Sequence, residues 1–135
     1  MIASINGAKN GWTAGRNDRF EGMTLAQVQK MMGTRLDAHP AFVRPGTPAP
    51  MPEGFTAAAS FDVRTAWPKC TAVTSHIRDQ SDCGCCWAFG TTEAFNDRMC
   101  IAKGYTGPLL SPQDTCSCCN GNHGCSSGGC DGGYL

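Results

Sequence analysis

The chain has 135 residues, a formal net charge of zero at pH 7 and ten cysteines, all between Cys70 and Cys130. It has no basic patch that would suggest nucleic acid, no acidic tail that would suggest a basic partner, and no apolar run of membrane-spanning length. The cysteines predict either disulfides formed in an oxidising compartment or a metal site.

The beginning of the chain carries an expectation of its own. The first residues lack the basic start and apolar core of a signal peptide, although the cysteines indicate an oxidising compartment. We therefore expect that the natural N-terminus precedes Met1 in a longer protein.

Residues 1–57 contain no cysteine and divide into a helix and a linker. Thr24, followed three residues later by Gln27, is a capping box, which predicts a short amphipathic helix. Gly33 is expected to form its C-terminal cap. The apolar stripe of this helix would consist of Leu25, Val28, Met31 and Met32. Five prolines in residues 37–56 forbid a helix and favour an extended, exposed linker.

Residues 58–85 are expected to be loop and extended chain, followed by a long helix from Cys86 to Ala102. Gly104 is suited to end that helix. Its apolar positions at helical spacing are Ala88, Phe89, Phe95 and Met99. Ser111 and Pro112 predict the start of a second helix, with serine as the cap and proline in the first position. Residues 120–133 are rich in Gly, Ser and Asn, so order there must come from cross-links.

Residues 80–90 have the layout of a nucleophile segment. A glutamine comes first, followed by a cysteine that a disulfide could hold, a glycine, and a cysteine directly before a tryptophan. Cys86 lies where the helix begins, and the unpaired N–H groups of a helix N-terminus lower the pKa of a thiol. Since the thiolate is the reactive form, Cys86 is the candidate nucleophile.

The motif Gln80…Cys83-Gly84-x-Cys86-Trp87-Ala88-Phe89 resembles the active-site signature of the papain family of cysteine peptidases, and in particular its cathepsin B-like members. Residues 61–70, 96–101 and 118–134 continue the resemblance, and residues 11–17 are similar to the propeptide of that group. In total the resemblance covers residues 11–135. Cys85 departs from the pattern, because the family has serine there.

The resemblance implies a partial papain-like α+β fold: a mainly helical left-domain portion with disulfide-rich loops, preceded by an extended prosegment with a short helix. Residues 1–57 would be the propeptide portion and Pro-rich linker, with a cut between Met51 and Phe61. Residues 58–135 would be the N-terminal part of the peptidase domain, whose C-terminal domain is absent from the sequence. The prosegment would cross the active-site cleft in the reverse direction to a substrate. A lysosomal or secreted location is implied.

The resemblance also implies peptide-bond hydrolysis through an acyl-enzyme on Cys86, with the Gln80 amide and the Cys86 backbone N–H binding the oxyanion. Substrate contacts are implied at Gly84, Trp87, Gly132 and Gly133. By residue type alone the glycine pair fits a turn equally well. The expected partners are peptide or protein substrates and the chain's own prosegment, with no cofactor, no nucleic acid and no membrane.

The family's catalytic histidine and asparagine motif does not occur in this sequence. The chain by itself is therefore expected to be inactive, and a catalytically dead, disulfide-rich binding or inhibitory module is the alternative. The three histidines, which are His39, His76 and His123, are expected to be surface residues.

The implied disulfides are Cys70–Cys100, Cys83–Cys130 and Cys119–Cys125. Cys118 would pair with a cysteine beyond Leu135, and Cys86 would stay free. Cys85 and Cys116 have no partner in the family, and a bond between them is left open. A zinc site is the less favoured alternative, because its ligands would crowd into one loop. Those ligands would come from Cys116, Cys118, Cys119, His123 and Cys125.

Overall fold

The computed structural model describes residues 1–8, 10–36, 50–123 and 125–134, and these residues are mostly helical. Their α-helices are α1 (Ile2–Gly7), α2 (Leu25–Lys30), α3 (Val63–Ala66), α4 (Thr71–Thr74), α5 (Cys86–Lys103) and α6 (Pro112–Cys118). Single 3₁₀ turns lie at Asp18–Phe20, Pro68–Cys70, Gly121–His123 and Gly129–Asp131. Most of the predicted linker, with His39, lies outside the described residues.

Helix α5 is the predicted long helix, and it ends one residue later than expected. Gly104 forms the C-terminal cap with a left-handed φ of 68°, which explains why a glycine is needed there. The predicted apolar face was wrong in part, because Phe95 is 51% exposed. The buried face is instead a ridge at four-residue spacing, formed by Ala88, Thr92, Asn96 and Cys100. Small and polar side chains on this ridge let neighbouring helices approach closely.

Helix α6 begins as predicted, with the Ser111 hydroxyl accepting a hydrogen bond from the Asp114 N–H. It packs on α5, where the hydroxyls of Thr92 and Thr115 lie 3.2 Å apart. One core cluster forms between these helices, and a second forms around the other half of α5. The first contains Cys85, Trp87, Ala88 and Cys116; the second contains Cys70, Val73 and Cys100.

Residues 58–85 were predicted to be loop and extended chain, which was wrong for residues 63–74. Helix α3 forms because the Asp62 carboxylate accepts the Arg64 N–H and caps the first turn. Helix α4 follows the Cys70 turn, and the Cys70–Cys100 disulfide anchors both to α5. Such single-turn helices are marginal alone, so the covalent anchor explains why they form here.

Helix α2 has the predicted capping box between Thr24 and Gln27, but it stops at Lys30. Met31 is the cap residue, so the prediction that Gly33 caps this helix was wrong. The predicted stripe also fails in part, because Leu25 and Met32 are exposed whereas Met31 is buried. The chain leaves the helix early because residues 31–35 bond to other parts of the molecule, as described below.

The structure forms the three disulfides that the resemblance implies: Cys70–Cys100, Cys83–Cys130 and Cys119–Cys125. Cys85, Cys86, Cys116 and Cys118 are free. The Cys119–Cys125 bond uses two of the sulfurs that the alternative zinc site requires. Among the described residues, no helix is both long enough and apolar enough to span a bilayer.

Candidate active site

Cys86 is the first residue of α5, and its sulfur faces the N-terminal segment, by which we mean residues 10–36. The Gly33 N–H donates a hydrogen bond to Cys86 Sγ at 3.2 Å. The Thr34 hydroxyl oxygen lies 3.3 Å from the same sulfur. The candidate nucleophile is therefore partly buried under a backbone that comes from more than fifty residues earlier in the chain.

These contacts shift the pKa of the Cys86 thiol. Burial by itself raises the pKa of its thiol. Hydrogen bonds from the Thr34 hydroxyl and from nearby backbone N–H groups outweigh burial, so the pKa lies below its ordinary value of 9.0. Those N–H groups belong to Gly33, Thr34 and Trp87. Most of the groups that stabilise the thiolate thus come from the N-terminal segment.

Gln80, the predicted oxyanion donor, already has its side-chain amide engaged. The amide Nε2 donates to the carbonyl of Met31 at 2.8 Å and to the carbonyl of Cys83 at 2.8 Å. A carbonyl of the N-terminal segment therefore sits on the donor that the sequence predicted for an oxyanion. The second bond holds the Gln80 side chain against the loop that carries Cys83.

Gly133 pairs with the same segment. Its N–H donates to the Gly33 carbonyl at 2.8 Å, and its carbonyl accepts the Arg35 N–H at 2.8 Å. These bonds form an isolated parallel bridge between Thr34 and Gly133. The glycine pair thus acts as a strand-like docking edge rather than as a turn alone. Gly132 has a φ of 102°, a backbone conformation that favours glycine.

Close backbone packing explains why glycines meet at this point. A Cβ on Gly33 would overlap the carbonyl of Gly84, and one on Gly132 would lie 2.7 Å from the Gly33 oxygen. A Cβ on Gly84 would lie 2.5 Å from the Lys30 oxygen. Three glycines from distant parts of the sequence therefore allow the N-terminal segment to reach the sulfur.

Trp87 lies in the core, where its side chain is 1% exposed. Its indole N–H donates to the Gly129 carbonyl at 3.0 Å, and the ring packs beneath Gly133. The substrate contact that the sequence suggested for Trp87 is corrected here, because a side chain this deeply buried offers no surface to a peptide. Trp87 supports the glycine edge from below.

A second anchor lies away from the sulfur. The Arg19 guanidinium donates to the Asp79 carboxylate at 3.2 Å and to the Ser81 carbonyl at 3.0 Å. The Ser81 N–H and, after it, the charge of Arg19 hold the pKa of Asp79 below its ordinary value of 3.8. At the other end, the Arg35 guanidinium lies 5.6 Å from the centre of the Tyr134 ring. The segment is thus held on both sides of Cys86.

The remaining predicted residues lie elsewhere. His76 and His123 are exposed, as expected, and a ring nitrogen of His123 lies 3.2 Å from the Asn120 side chain. Cys118 is exposed and free within the described residues. Cys85 is buried next to Cys116, and burial, followed by the proximity of that second thiol, raises the pKa of Cys85 to about 11.

Sequence reasoning missed Met31, Gly33 and Thr34 as residues of the site. It assigned Met31 to the apolar stripe of a helix and Gly33 to the cap of that helix, and it assigned no role to Thr34. The one available signal was the implied crossing of the cleft by the residues after that helix. Which residue would meet the sulfur depends on contacts across about fifty residues of chain, and local patterns do not encode such contacts.

With this geometry established, comparison with known proteins defines the class. The family model of papain family cysteine proteases matches residues 57–135, and that of the peptidase family C1 propeptide matches residues 1–38. Since the first match covers more than half of the chain, the chain belongs to the papain family of cysteine proteases.

Two of the relatives that it matches are named as cathepsin B-like. Cathepsin B-like cysteine proteinase 5 of Caenorhabditis elegans is 53% identical over 75 residues, which are 55% of this chain and 21% of the relative. A cathepsin B-like cysteine proteinase of Schistosoma japonicum is 40% identical over 137 aligned residues, covering 99% of this chain and 38% of the relative.

A solved structure gives the same result for the fold. ProCathepsin B S9 from Trypanosoma congolense matches with a TM-score of 0.76 and 28% identity, covering 98% of this chain and 44% of that one. The described residues thus adopt a mostly helical part of the papain-like fold. The chain spans less than half the length of each of these proteins.

Proposed function

We propose that this chain is the prosegment and the N-terminal peptidase part of a cathepsin B-like cysteine peptidase zymogen, with Cys86 as the nucleophile. The observation that carries the proposal is the docking of residues 31–35 across Cys86 and Gln80, the two residues that the chemistry requires. The division would fall near residue 57, and the substrates would be peptides or proteins.

In the activated protein, the Cys86 thiolate attacks the peptide carbonyl and forms an acyl-enzyme, which water then hydrolyses. The Gln80 amide and the N–H of Cys86, at the start of α5, bind the developing oxyanion. Gly132 and Gly133 offer backbone groups to an extended substrate, and Gly84 would contact the substrate as well. The Cys83–Cys130 disulfide holds the nucleophile loop against this glycine edge.

In the zymogen, the N-terminal segment uses these same groups unproductively. It engages the Gln80 amide through the Met31 carbonyl, but the group that it directs at Cys86 Sγ is the Gly33 N–H. A hydrogen-bond donor stabilises the thiolate without offering it an electrophile. The parallel bridge at Gly133 supports a chain direction opposite to that of a substrate.

Hydrolysis also requires a histidine base and an orienting asparagine, for which this sequence has no motif. Because such a base typically contributes about 10²–10⁴-fold, we infer that the 135-residue chain alone has no useful activity. Three disulfides support an oxidising compartment, so we propose a lysosomal or secreted location.

The test uses a longer protein that carries this chain, with the prosegment removed and a dipeptide amide as substrate. Cys86→Ala should abolish hydrolysis, while the matched control Cys85→Ser, on the adjacent thiol, should retain it. Retained hydrolysis in Cys86→Ala would refute the nucleophile assignment. Absence of hydrolysis in the unsubstituted protein would favour the inhibitory or binding module instead.

A further inference from the structure

Three sulfurs lie close together where α6 meets the loop before α5 and the Gly129–Asp131 turn. Cys83 and Cys130 form a disulfide, and Cys116 Sγ lies within 4.8 Å of both of their sulfur atoms. Cys116 is 8% exposed and belongs to the same core cluster as Cys85. Thiol–disulfide exchange starts from such a free thiol close to a disulfide sulfur.

We propose that Cys116 is an internal exchange site for the Cys83–Cys130 disulfide. The Cys116 thiolate attacks Cys83 Sγ, a Cys83–Cys116 bond forms, and the bond between Cys83 and Cys130 breaks. Cys130 leaves as a thiolate and takes up the proton that Cys116 released. The number of disulfides is unchanged, so the step requires no external oxidant or reductant.

The direction of attack follows from exposure. Cys130 is exposed at the surface, whereas Cys83 is partly buried. Exchange is faster when the leaving sulfur is the better-stabilised thiolate, and water stabilises a thiolate at Cys130. Attack at Cys83 is therefore favoured over attack at Cys130.

Neither of the neighbouring free thiols fits this role as well. Burial, and then the nearby Cys116 thiol, raises the pKa of Cys85 to about 11, so Cys85 remains protonated near neutral pH. Cys118 is exposed two residues further along α6, and its thiol points to the Asp114 carboxylate at 3.7 Å. Cys118 is thus a matched control on the same helix.

Exchange would change what holds the candidate active site. The native bond joins the loop before Cys86 to the Gly132–Gly133 edge, which begins two residues after Cys130. The product joins that loop to α6 instead and releases the glycine edge. This inference concerns the sulfur chemistry and does not depend on peptidase activity.

The test incubates the oxidised 135-residue chain with iodoacetamide and without reductant, followed by acid quenching and mass spectrometry of the non-reduced digest. We expect a Cys83–Cys116 peptide to accumulate together with carbamidomethylated Cys130. Its rate of formation should rise with pH, because the thiolate is the attacking form.

Cys116→Ser should lower the labelling of Cys130 by at least about tenfold, while Cys118→Ser should leave it unchanged. Absence of the Cys83–Cys116 peptide in the unsubstituted chain would overturn the proposal, and that readout holds even if a variant fails to fold. Labelling of Cys130 that persists in Cys116→Ser, or that disappears in Cys118→Ser, would overturn it as well.

Discussion

At the scale of single residues, the pKa of the Cys86 thiol depends on a side chain from the N-terminal segment. The Thr34 hydroxyl lies 3.3 Å from Sγ and is the strongest of the groups that lower the pKa of Cys86. Such a contact favours the thiolate while the segment covers it. The zymogen that we propose would thus favour the charged form of its nucleophile while keeping that nucleophile from a substrate.

Thr34→Val should raise the pKa of Cys86, because it removes a donor to the thiolate and leaves the volume nearly unchanged. The measurement is the pH dependence of Cys86 alkylation in the 135-residue chain, followed by peptide mass. The midpoint should move to higher pH, whereas exposed Thr106→Val should not move it. An unchanged midpoint in Thr34→Val would show that the hydroxyl does not stabilise the thiolate.

Gly33→Ala should detach the segment, because the added Cβ overlaps the Gly84 carbonyl. Overpacking of this kind costs about 1–3 kcal/mol, which corresponds to a roughly 5- to 150-fold higher open fraction. Alkylation of Cys86 at fixed pH should speed up accordingly. Gly15→Ala is the control, since its Cβ meets nothing within 4 Å. Equal rates in the two variants would contradict the packing argument.

At the scale of elements, α5 organises the described part of the molecule. Its first turn carries Cys86 and Trp87, its middle packs on α6, and Cys100 near its end is bonded to Cys70. The two single-turn helices before Cys86 depend on this last bond. The disulfide therefore stabilises residues 63–74, whose single-turn helices are too short to be held in place by packing alone.

Replacing Cys70 and Cys100 together by alanine should lower the free energy of unfolding by about 2–4 kcal/mol, the typical contribution of a disulfide. Urea denaturation of the 135-residue chain measures this change. Cys118→Ser, which alters an exposed free thiol, should stay within about 0.5 kcal/mol of the unsubstituted chain. A comparable loss in Cys118→Ser would mean that the exposed thiol also supports the fold.

At the scale of the whole molecule, Arg19 and Asp79 join the N-terminal segment to the residues that precede the nucleophile loop. The pair is exposed, with Asp79 at 69%, so its attraction is screened by solvent. The pKa of Asp79 is lowered in the folded chain, so its ionised carboxylate contributes to the free energy of unfolding. This contribution is present above the ordinary carboxyl pKa of 3.8 and is lost as the pH falls below that value.

Asp79→Asn should therefore lower the urea midpoint near neutral pH and have progressively less effect below about pH 4. The measurement is the difference in urea midpoint between the unsubstituted chain and the variant across the acid range. Asp18→Asn is a control on a carboxylate outside this contact. A difference that stays constant with pH would show that ionisation of Asp79 does not contribute to the docking.

The sequence by itself determined the family, the long helix with its glycine stop, the capped starts of α2 and α6, and the three disulfide pairs that the family resemblance implied. These features depend on local signals, such as a capping side chain or a left-handed glycine, or on a motif of contiguous residues. Such signals can be recognised in the sequence without knowing which distant residues come into contact in the fold. The surface positions of His76 and His123 followed in the same way.

Only the tertiary structure decided what touches Cys86, which face of α5 is buried, and which thiol lies against the Cys83–Cys130 disulfide. Gly33 could have ended a helix, but packing against Gly84 and a bond to the sulfur gave it another use. Trp87 could have faced a substrate, but the core enclosed it. In each case a long-range contact outweighed a local preference, because backbone packing and burial at a shared site depend on chain segments that are distant in sequence.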